Sequence, residues 1–289
     1  MRWLITGAGG QLGQCLLQVL SSQGIEHIAL TKQDLDISSS GETFNLLKDI
    51  RPNVIINAAA YTNVENAEEE KKIAYDINQV GAANIARASK SIGAKLVHFS
   101  TDYVFSGTKT LPWEPDDLTQ PLSVYGKSKL AGEVEVINEC KENALIIRTA
   151  WLYSSYGKNF YKTILNKAIN TKDSVKVVSD QIGQPTSALD LADLTVRALT
   201  KEFPSGIFHA TNSGSTSWYE FAQFIFKLAG EDVSRVSPVS SSEFPSKVER
   251  PKYSVLCNQK WNDFGITPLK SWQESATAMF PAILQSFLK

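Results

Sequence analysis

A glycine-rich turn close to the N-terminus constrains the fold more than any other feature of the sequence. Residues 2–6 have the composition of a short β-strand, and apolar residues recur at helical spacing over residues 12–20. Gly7, Gly10 and Gly13 follow the strand and open the helix with the spacing G-x-x-G-x-x-G. Glycines let the backbone approach a diphosphate closely, and the N–H groups at a helix start attract its negative charge. The turn therefore predicts dinucleotide binding, and a merely tight turn is the alternative.

Strands and helices alternate through the first half of the chain. The predicted strands cover residues 2–6, 25–30, 54–56, 96–99 and 144–147, and the predicted helices cover residues 12–20, 44–50, 73–92 and 125–137. Gly24 is expected to end the first helix. Alternation of this kind implies βαβ units with right-handed crossovers and a parallel sheet. The predicted fold class is therefore α/β, with a doubly wound (Rossmann) parallel sheet.

The alternation loosens after about residue 150, where prolines interrupt the sequence. Helices are predicted at about 188–199 and 218–229, and a last helix covers the C-terminus. We interpret the second half as a smaller C-terminal substrate-binding lobe that is interleaved with the first domain. In this division, residues 1–150 and about 186–212 form the dinucleotide-binding domain, and about 151–185 and 213–289 form the lobe.

Composition and charge argue against several classes of protein. The chain has 289 residues, 43% hydrophobic and 20% charged, as in ordinary globular proteins. Its 29 basic and 30 acidic side chains leave a formal net charge of −1, so nucleic-acid binding is not expected. No apolar run approaches the roughly 20 residues that span a bilayer, and no signal peptide is recognisable. Cys15, Cys140 and Cys257 form neither a disulfide framework nor a CxxC metal site, which predicts a cytoplasmic protein.

The residues that follow the second predicted strand bear on the choice of cofactor. A site that prefers NAD usually has an acid here that binds both ribose hydroxyls, whereas this chain has Thr31-Lys32. The ammonium of Lys32 could pair with a 2′-phosphate, which favours NADPH and leaves NADH possible. Alternatively, Lys32 is a solvated surface residue. Asp36 could still contact the adenosine end.

A phenol and an ammonium are predicted to share a helical face. Tyr125 and Lys129 are four residues apart, and we expect the cation to lower the pKa of the phenol, which suits proton transfer in a carbonyl/alcohol couple. Lys127 turns away, and such a pair alone is more often a surface feature. Thr101 strengthens the interpretation, because it follows a predicted strand at the edge where ligands bind in this fold. His98, inside that strand, is expected to be a core residue with satisfied hydrogen bonds.

Longer motifs contain these residues, and through them the chain resembles the extended short-chain dehydrogenase/reductase superfamily. Within it, the chain is most similar to the dTDP-4-dehydrorhamnose reductase family. The matching segments are residues 6–13, 35–37, 51–62, 100–107, 125–133, 148–153, 159–160, 180–186 and 250–251. The glycine loop and the Tyr/Lys pair are typical of the whole superfamily. The segments Ser-Thr-Asp-Tyr-Val-Phe and Asp-Gln-x-Gly-x-Pro-Thr are much narrower signals.

The resemblance implies which residues hold NADPH or NADH. The diphosphate would lie against Gly10, Gln11 and Leu12, beside Gly7 and Gly13. Asp36 and Ile37 would border the adenosine, beside Lys32. Ala59, Ala60 and Tyr61 would line the cofactor near the ribose, and Lys129 would bind the nicotinamide ribose, beside Tyr125.

The resemblance also implies a reaction. Tyr125 would donate a proton to the C4 oxygen of dTDP-4-dehydro-L-rhamnose while the cofactor delivers a hydride to C4. Thr101 would take the place of the superfamily's usual catalytic serine, and Lys129 would tune Tyr125. Thr101, Asp102 and Trp151 would contact the sugar nucleotide, with core packing as the alternative role of Trp151.

Metal dependence and the oligomeric state are left open by the sequence. Some relatives are described as needing a divalent metal, associated with acidic residues at the subunit contact. The first helix here carries Gln14-Cys15 instead of an acid. No metal ligand is therefore predicted, and a monomer and a homodimer are both compatible with the sequence.

Two other functions are compatible with the motifs. The first is a sugar-nucleotide dehydratase or epimerase, but dehydratases follow the catalytic Thr with an Asp-Glu pair, whereas Thr101 is followed by Asp102-Tyr103. The second is a non-catalytic regulatory subunit that resembles the one of methionine adenosyltransferase, which the intact Thr, Tyr and Lys do not exclude.

Overall fold

The computed structural model describes residues 1–201, 205–243 and 246–287. Residues 202–204, 244–245 and 288–289, which fall within the predicted domain ranges and the predicted last helix, lie outside the described residues. Within the described ranges, no helix is long and apolar enough to cross a membrane.

Short, mainly apolar runs form the strands of the large sheet, and amphipathic stretches form most of the longer helices. In chain order, the strands are β1 (Trp3–Thr6), β2 (His27–Leu30), β3 (Val54–Asn57), β4 (Lys95–Thr101), β5 (Ala144–Thr149), β6 (Leu152–Tyr153), β7 (Val175–Val178), β8 (Ile182–Gly183), β9 (Thr186–Ser187), β10 (Gly206–His209), β11 (Thr216–Ser217) and β12 (Val236–Val239). The helices are α1 (Gln11–Ser22), α2 (Ser40–Ile50), α3 (Val64–Ala67), α4 (Lys71–Tyr75), α5 (Ala82–Ile92), α6 (Val124–Cys140), α7 (Phe160–Asn170), α8 (Ala188–Thr200), α9 (Trp218–Leu228) and α10 (Trp272–Gln285).

Six of the strands form a parallel sheet in the order β10-β5-β4-β3-β1-β2. The chain winds outward from β1 to β2 and then returns to β3 on the other side of β1, so the direction of winding reverses there. Thr6 and Asn57, the last residues of β1 and β3, pair with each other, whereas β4 continues three residues beyond His98, the partner of Asn57, to Thr101. Ligands bind at the carboxyl edge of the sheet in doubly wound folds. The predicted fold class is confirmed.

Helices cover both faces of the sheet, so its inner strands β1, β3, β4 and β5 are buried on both sides. Trp3 and Ile5 of β1 pack in the core beneath α1 and α8, whereas Leu4 packs in the core beneath α2, α5 and α6. This burial explains why the strands are continuous apolar runs rather than alternating ones. Gly24 has a φ of 66° and follows Gln23, the C-cap residue of α1, as predicted for a helix stop.

A third core lies outside the sheet. Helices α7, α9 and α10 and the parallel pair β7–β12 enclose it, and its centre is aromatic, with Tyr161, Phe221 and Trp272 in contact. Helix α8 and strand β10 fall between these elements in the sequence but pack in the core of the sheet. The exact residue limits of the two-domain division stay a prediction.

The single helix predicted over residues 73–92 is wrong in its middle. A π-helical turn, Asp76–Gly81, separates α4 from α5. Within it, Asn78 accepts a hydrogen bond from the backbone N–H of Tyr61 (2.8 Å) and donates to the carbonyl oxygen of Tyr61 (3.0 Å) and to Ser128 Oγ (2.9 Å). Gly132 of α6 packs against the same turn, because a Cβ there would lie 2.1 Å from the carbonyl oxygen of Asn78. The turn therefore joins the loop after β3 to α6, and apolar periodicity does not reveal it.

Candidate active site

A cavity of about 310 Å³ lies beside the glycine loop. Its lining includes seven of the predicted cofactor residues: Gly7, Gly10, Lys32, Asp36, Ile37, Ala59 and Ala60. The structure therefore brings the loop after β1, the segment after β2 and the segment after β3 to one place. Six predicted cofactor residues do not line this cavity: Gln11, Leu12, Gly13, Tyr61, Tyr125 and Lys129.

Close backbone contacts make two of the glycines necessary. Gly7 has a φ of 67°, and a Cβ there would lie 2.5 Å from the backbone nitrogen of Ala59. A Cβ on Gly13 would lie 2.3 Å from the carbonyl oxygen of Gly7. Helix α1 begins at Gln11 and, within the described part of the chain, has neither a side-chain cap nor an acid in its first turn. Its first N–H groups are thus available to an anion, so the loop fits a dinucleotide diphosphate.

The side chains of Gln11 and Leu12, which follow Gly10, point away from the cavity. Leu12 is buried in the core beneath α1. The side-chain oxygen of Gln11 accepts hydrogen bonds from Ser154 Oγ (3.2 Å) and from Asn159 Nδ2 (2.9 Å). Asn159 also caps α7, because its side-chain oxygen accepts a hydrogen bond from the N–H of Lys162 (3.0 Å). The side chain of Gln11 therefore ties the loop to α7, and its backbone N–H is the group left for a diphosphate.

The segment after β2 brings a cation and an anion to the cavity. Lys32 is exposed there. Asp36 accepts hydrogen bonds from the hydroxyl (2.7 Å) and the N–H (3.0 Å) of Ser38, and these bonds lower the pKa of the carboxyl. Ile37 is mostly buried beneath them. The site thus offers both an ammonium and a carboxylate to the adenosine end of a dinucleotide.

Helix α6 carries the candidate tyrosine and lysine in successive turns. Ser123 caps its first turn, so Tyr125 lies near the sheet edge and Lys129 one turn further on. Lys129 is only 3% exposed, and its ammonium donates a hydrogen bond of 2.6 Å to the carbonyl oxygen of Phe99. Burial lowers the pKa of Lys129 to about 8, and Glu133 opposes this effect.

The expected lowering of the pKa of Tyr125 is wrong. Burial raises the pKa of this phenol, a hydrogen bond with Thr101 acts in the opposite direction, and the nearby Asp102 and Tyr103 raise it further. The ammonium of Lys129 is directed to the carbonyl of Phe99 instead. Helical spacing predicts that two side chains share a face, but not how deeply that face is buried.

Thr101 ends β4 and connects Tyr125 to a buried carboxyl. Its hydroxyl donates a hydrogen bond of 3.0 Å to Asp102 and accepts one of 3.2 Å from the N–H of Tyr103. Burial raises the pKa of Asp102 to about 6, although hydrogen bonds with Ser254 and Thr101 act against this. Thr101 and Asp102 thus lie beside Tyr125.

Tyr103 links this group to a second charged pair. The rings of Tyr103 and Tyr125 meet edge to face, with centroids 5.6 Å apart. The guanidinium of Arg250 donates hydrogen bonds to the hydroxyl of Tyr103 (3.4 Å) and to the carboxylate of Glu65 (2.7 Å). Arg250 belongs to a matching motif, but sequence reasoning assigned it no role.

A second cavity, of about 350 Å³, lies beyond Arg250. Its lining combines aromatic, cationic and polar side chains, among them Glu65, Phe160, Lys167, Gln181, Trp218 and Arg250. The sequence analysis did not single out Phe160 or Trp218 as functional residues. Each is the first residue of its helix, α7 or α9, and α7 itself was not predicted from the sequence.

Trp151 lies against a wall of this second cavity. Its indole stacks on that of Trp218, with centroids 3.5 Å apart and planes at 9°. Its backbone has a φ of 44°, in the left-handed region that a bulky residue rarely adopts. A Cβ on Gly183 would lie 2.5 Å from the indole, so the glycine makes room for it. Trp151 is half-buried, packs against a small core cluster and does not line the cavity, so its contact with the sugar nucleotide stays a prediction.

The remaining predictions concern residues away from both cavities. Lys127 is exposed, as expected for a residue that turns away from Tyr125. His98 is buried and bonds to Asn57 (3.1 Å), but its Nε2 has no partner among the residues described, so its hydrogen bonds are only half satisfied. The side chain of Tyr61 donates a hydrogen bond of 2.6 Å to Glu70. No group of three or more His, Cys, Asp or Glu side chains in the described ranges could hold a metal ion.

Comparisons with known proteins agree with this architecture. The family described as "RmlD substrate binding domain" matches residues 1–284. A dTDP-4-dehydrorhamnose reductase from Streptomyces griseus is 41% identical over 98% of this chain and 94% of its own length. The crystal structure of a dTDP-4-dehydrorhamnose reductase from Clostridium acetobutylicum is 42% identical and superimposes with a TM-score of 0.94, over 99% of this chain and 100% of that one.

A further solved structure contains a cofactor. It is a dTDP-4-dehydrorhamnose reductase from Bacillus anthracis in complex with NADP, 40% identical, with a TM-score of 0.93 over 97% of this chain and 98% of that one. The resemblance that the motifs indicated is thereby confirmed. The chain belongs to the RmlD substrate binding domain family and is an oxidoreductase of that family.

Proposed function

We propose that the protein reduces the C4 ketone of dTDP-4-dehydro-L-rhamnose to the alcohol of dTDP-L-rhamnose, with NADPH as the reductant and Tyr125 as the proton donor. The observation that carries the proposal is the contact of Tyr125 with Thr101 at the carboxyl edge of the sheet, with Lys129 buried one turn away. The names of the similar proteins support the substrate.

The cavity beside the glycine loop would hold the cofactor. When bound, NADPH supplies a hydride to the C4 carbon of the sugar. The open N–H groups of α1 would receive the diphosphate, and Lys32 would pair with the 2′-phosphate. Lys129 would bind the nicotinamide ribose. NADP in the Bacillus anthracis structure supports this choice, and NADH stays an alternative.

The ionisation of Tyr125 suits the reductive direction. Because burial raises the pKa of the phenol, Tyr125 carries its proton at neutral pH and can give it to the C4 oxygen. The resulting tyrosinate would be costly in a buried position without partners. The hydroxyl of Thr101 and the ammonium of Lys129 would stabilise it.

The second cavity would hold the sugar nucleotide. Indole and phenyl rings at Trp218 and Phe160 suit a planar base, and the cations of Arg250 and Lys167 suit a diphosphate. Trp151, Thr101 and Asp102 would then contact the hexose. In this proposal, residues 1–150 and about 186–212 form the cofactor domain, and about 151–185 and 213–289 form the interleaved substrate lobe.

The test is an absorbance assay of NADPH with purified dTDP-4-dehydro-L-rhamnose. We expect oxidation of NADPH by the wild-type protein. A Tyr125→Phe variant should bind NADPH normally and lose about 10² to 10⁴ in kcat, because it lacks a positioned acid. Wild-type turnover by this variant would refute the assignment of the acid.

The same assay separates the alternatives. A sugar-nucleotide dehydratase or epimerase would convert its substrate without net consumption of NADPH. A regulatory subunit would give no turnover and would bind a methionine adenosyltransferase tightly.

A further inference from the structure

A buried ion pair lies one helical turn beyond Lys129. Glu133 of α6 accepts two hydrogen bonds from Arg148 of β5, at 2.9 Å from Nε and 2.7 Å from Nη2. The side chains of Arg148 and Glu133 are 3% and 1% exposed. The third nitrogen of the guanidinium donates to the carbonyl oxygen of Pro115 (2.9 Å). The pair is therefore fully formed and shielded from solvent.

Such a pair is not explained by stability alone. Removing two charges from water is costly, and well-packed apolar residues of similar volume are often as stable as a buried ion pair. The carboxylate of Glu133 is on the same helix as Lys129, four residues on, and residues at this spacing share a face.

Glu133 is the anion that favours the charged form of Lys129. Burial acts against the charge of Lys129, and Glu133 acts in its favour. From β4, the carbonyl of Phe99 accepts a hydrogen bond from the ammonium, and His98 is buried next to it with its own pKa well below the usual range. From β5, Arg148 is held on the far side of Glu133 by its bonds to the carboxylate. Without Glu133, burial would act on Lys129 unopposed.

We propose that the Glu133–Arg148 pair is a positioning element that keeps the ammonium of Lys129 charged and bonded to the carbonyl of Phe99 in β4. This inference rests on the proposed function of Lys129. Glu133 and Arg148 are positioning residues in it, because they act through Lys129. Arg148 has the supporting part of fixing the carboxylate of Glu133 in place.

The decisive measurement is the ionisation of Lys129 itself, in the protein without added ligands. The ¹³Cε resonances of ¹³C-lysine-labelled protein are followed with pH, and Lys129 is assigned by its loss in Lys129→Arg. In the wild type, we expect a midpoint near 8. In the double variant Glu133→Leu/Arg148→Met, which retains apolar packing, the midpoint should fall by about one pH unit or more.

Two further variants complete the test. Glu133→Gln keeps the shape of the side chain with Arg148 in place, and it should lower the midpoint as well. Glu135→Gln changes a carboxylate of the same helix that bonds to Gln79 (3.0 Å), and it should leave the midpoint unchanged. A midpoint for Lys129 that does not move in the folded double variant or in Glu133→Gln would overturn the proposal.

Activity provides an independent readout. The decline of kcat on the alkaline side, where Lys129 loses its proton, should move to lower pH in the double variant and stay in place in Glu135→Gln. A purely structural pair would change protein stability but not this profile. If the wild type does not reduce the keto sugar, the proposed function fails, whereas the resonance of Lys129 still decides whether the pair sets its charge.

Discussion

Tyr125 keeps its proton because desolvation of its partly buried phenol raises the pKa, and this is the state that a reductase needs before transfer. Burial also acts on its neighbours: it raises the pKa of Asp102 to about 6 and lowers that of Lys129 to about 8. The candidate site therefore contains two groups whose charges change on either side of neutrality. At the scale of single residues, burial influences the chemistry of the site as much as the identity of the side chains.

A residue-scale prediction concerns the choice of cofactor. Lys32→Ala removes the exposed ammonium beside the cavity at the glycine loop. If this ammonium binds the 2′-phosphate, KM for NADPH should rise about tenfold, the usual value of a hydrogen bond to a charged group, with little change for NADH. Steady-state kinetics with both cofactors measure this.

The matched control is Lys48→Ala, an exposed lysine of α2 outside that cavity. It should change neither KM. Equal effects of Lys32→Ala on the two cofactors would return Lys32 to the role of a solvated surface residue.

At the scale of elements, the site depends on how closely α6 approaches the π-helical turn. Asn78 of that turn bonds to the backbone of Tyr61 on one side and to Ser128 of α6 on the other. The approach requires a residue without a side chain at position 132. The turn thus sets the distance between the loop after β3 and the helix that carries Tyr125.

An element-scale prediction follows from this contact. Gly132→Ala places a Cβ 2.1 Å from the carbonyl oxygen of Asn78, so α6 must shift. We expect a loss of about 1 to 3 kcal/mol in the free energy of unfolding, as for overpacked cores, together with a lower kcat. Urea unfolding and the reductase assay measure the two effects.

Gly41 of α2 offers a control for this substitution. A Cβ there has no atom within 4 Å among the residues described, so Gly41→Ala should leave the protein as stable or stabilise it by about 0.5 to 1 kcal/mol. A Gly132→Ala variant as stable as wild type would show that α6 and the turn are not in tight contact.

Sequence patterns predict the repeating elements better than their interruptions. The buried strands of the sheet and the amphipathic helices that cover it follow from apolar periodicity. For β4, the prediction of residues 96–99 is correct and only its ends were missed. The π-helical turn escapes prediction because one bulged turn scarcely changes a helical pattern. Within the site, the glycine loop and Thr101 are local signals. The stack of Trp151 on Trp218 gives no local signal, because it joins residues that are far apart in the sequence.

On the scale of the whole molecule, the buried histidines couple the fold to pH. His209 ends β10 beneath the loop at Trp113, and burial and the nearby Arg148 lower its pKa to about 3. Burial likewise lowers the pKa of His98. Both are neutral in the folded protein and become charged on unfolding in mild acid. Their contribution to stability is therefore complete above the unfolded pKa of about 6.5 and is lost as pH falls towards 3.

This predicts a pH-dependent stability that one substitution should reduce. When the pH is lowered from 8 to 5, each such histidine decreases the free energy of unfolding by about 2 kcal/mol. His209→Phe should therefore lose about 2 kcal/mol less than wild type over this interval, whatever its absolute stability. Urea titrations at the two pH values give the difference, and equal losses in both proteins would mean that His209 titrates normally in the fold.

The hydrogen bonds of Gln11 connect two helices that lie at different cavities. One side-chain amide joins the start of α1 to the cap of α7, and α7 forms part of the wall of the other cavity. A displacement of either helix end must be shared by the other or break these hydrogen bonds. A hydrogen-bonded path through the side chain of Gln11 therefore joins the two cavities, and these bonds resist a separate movement of either helix end.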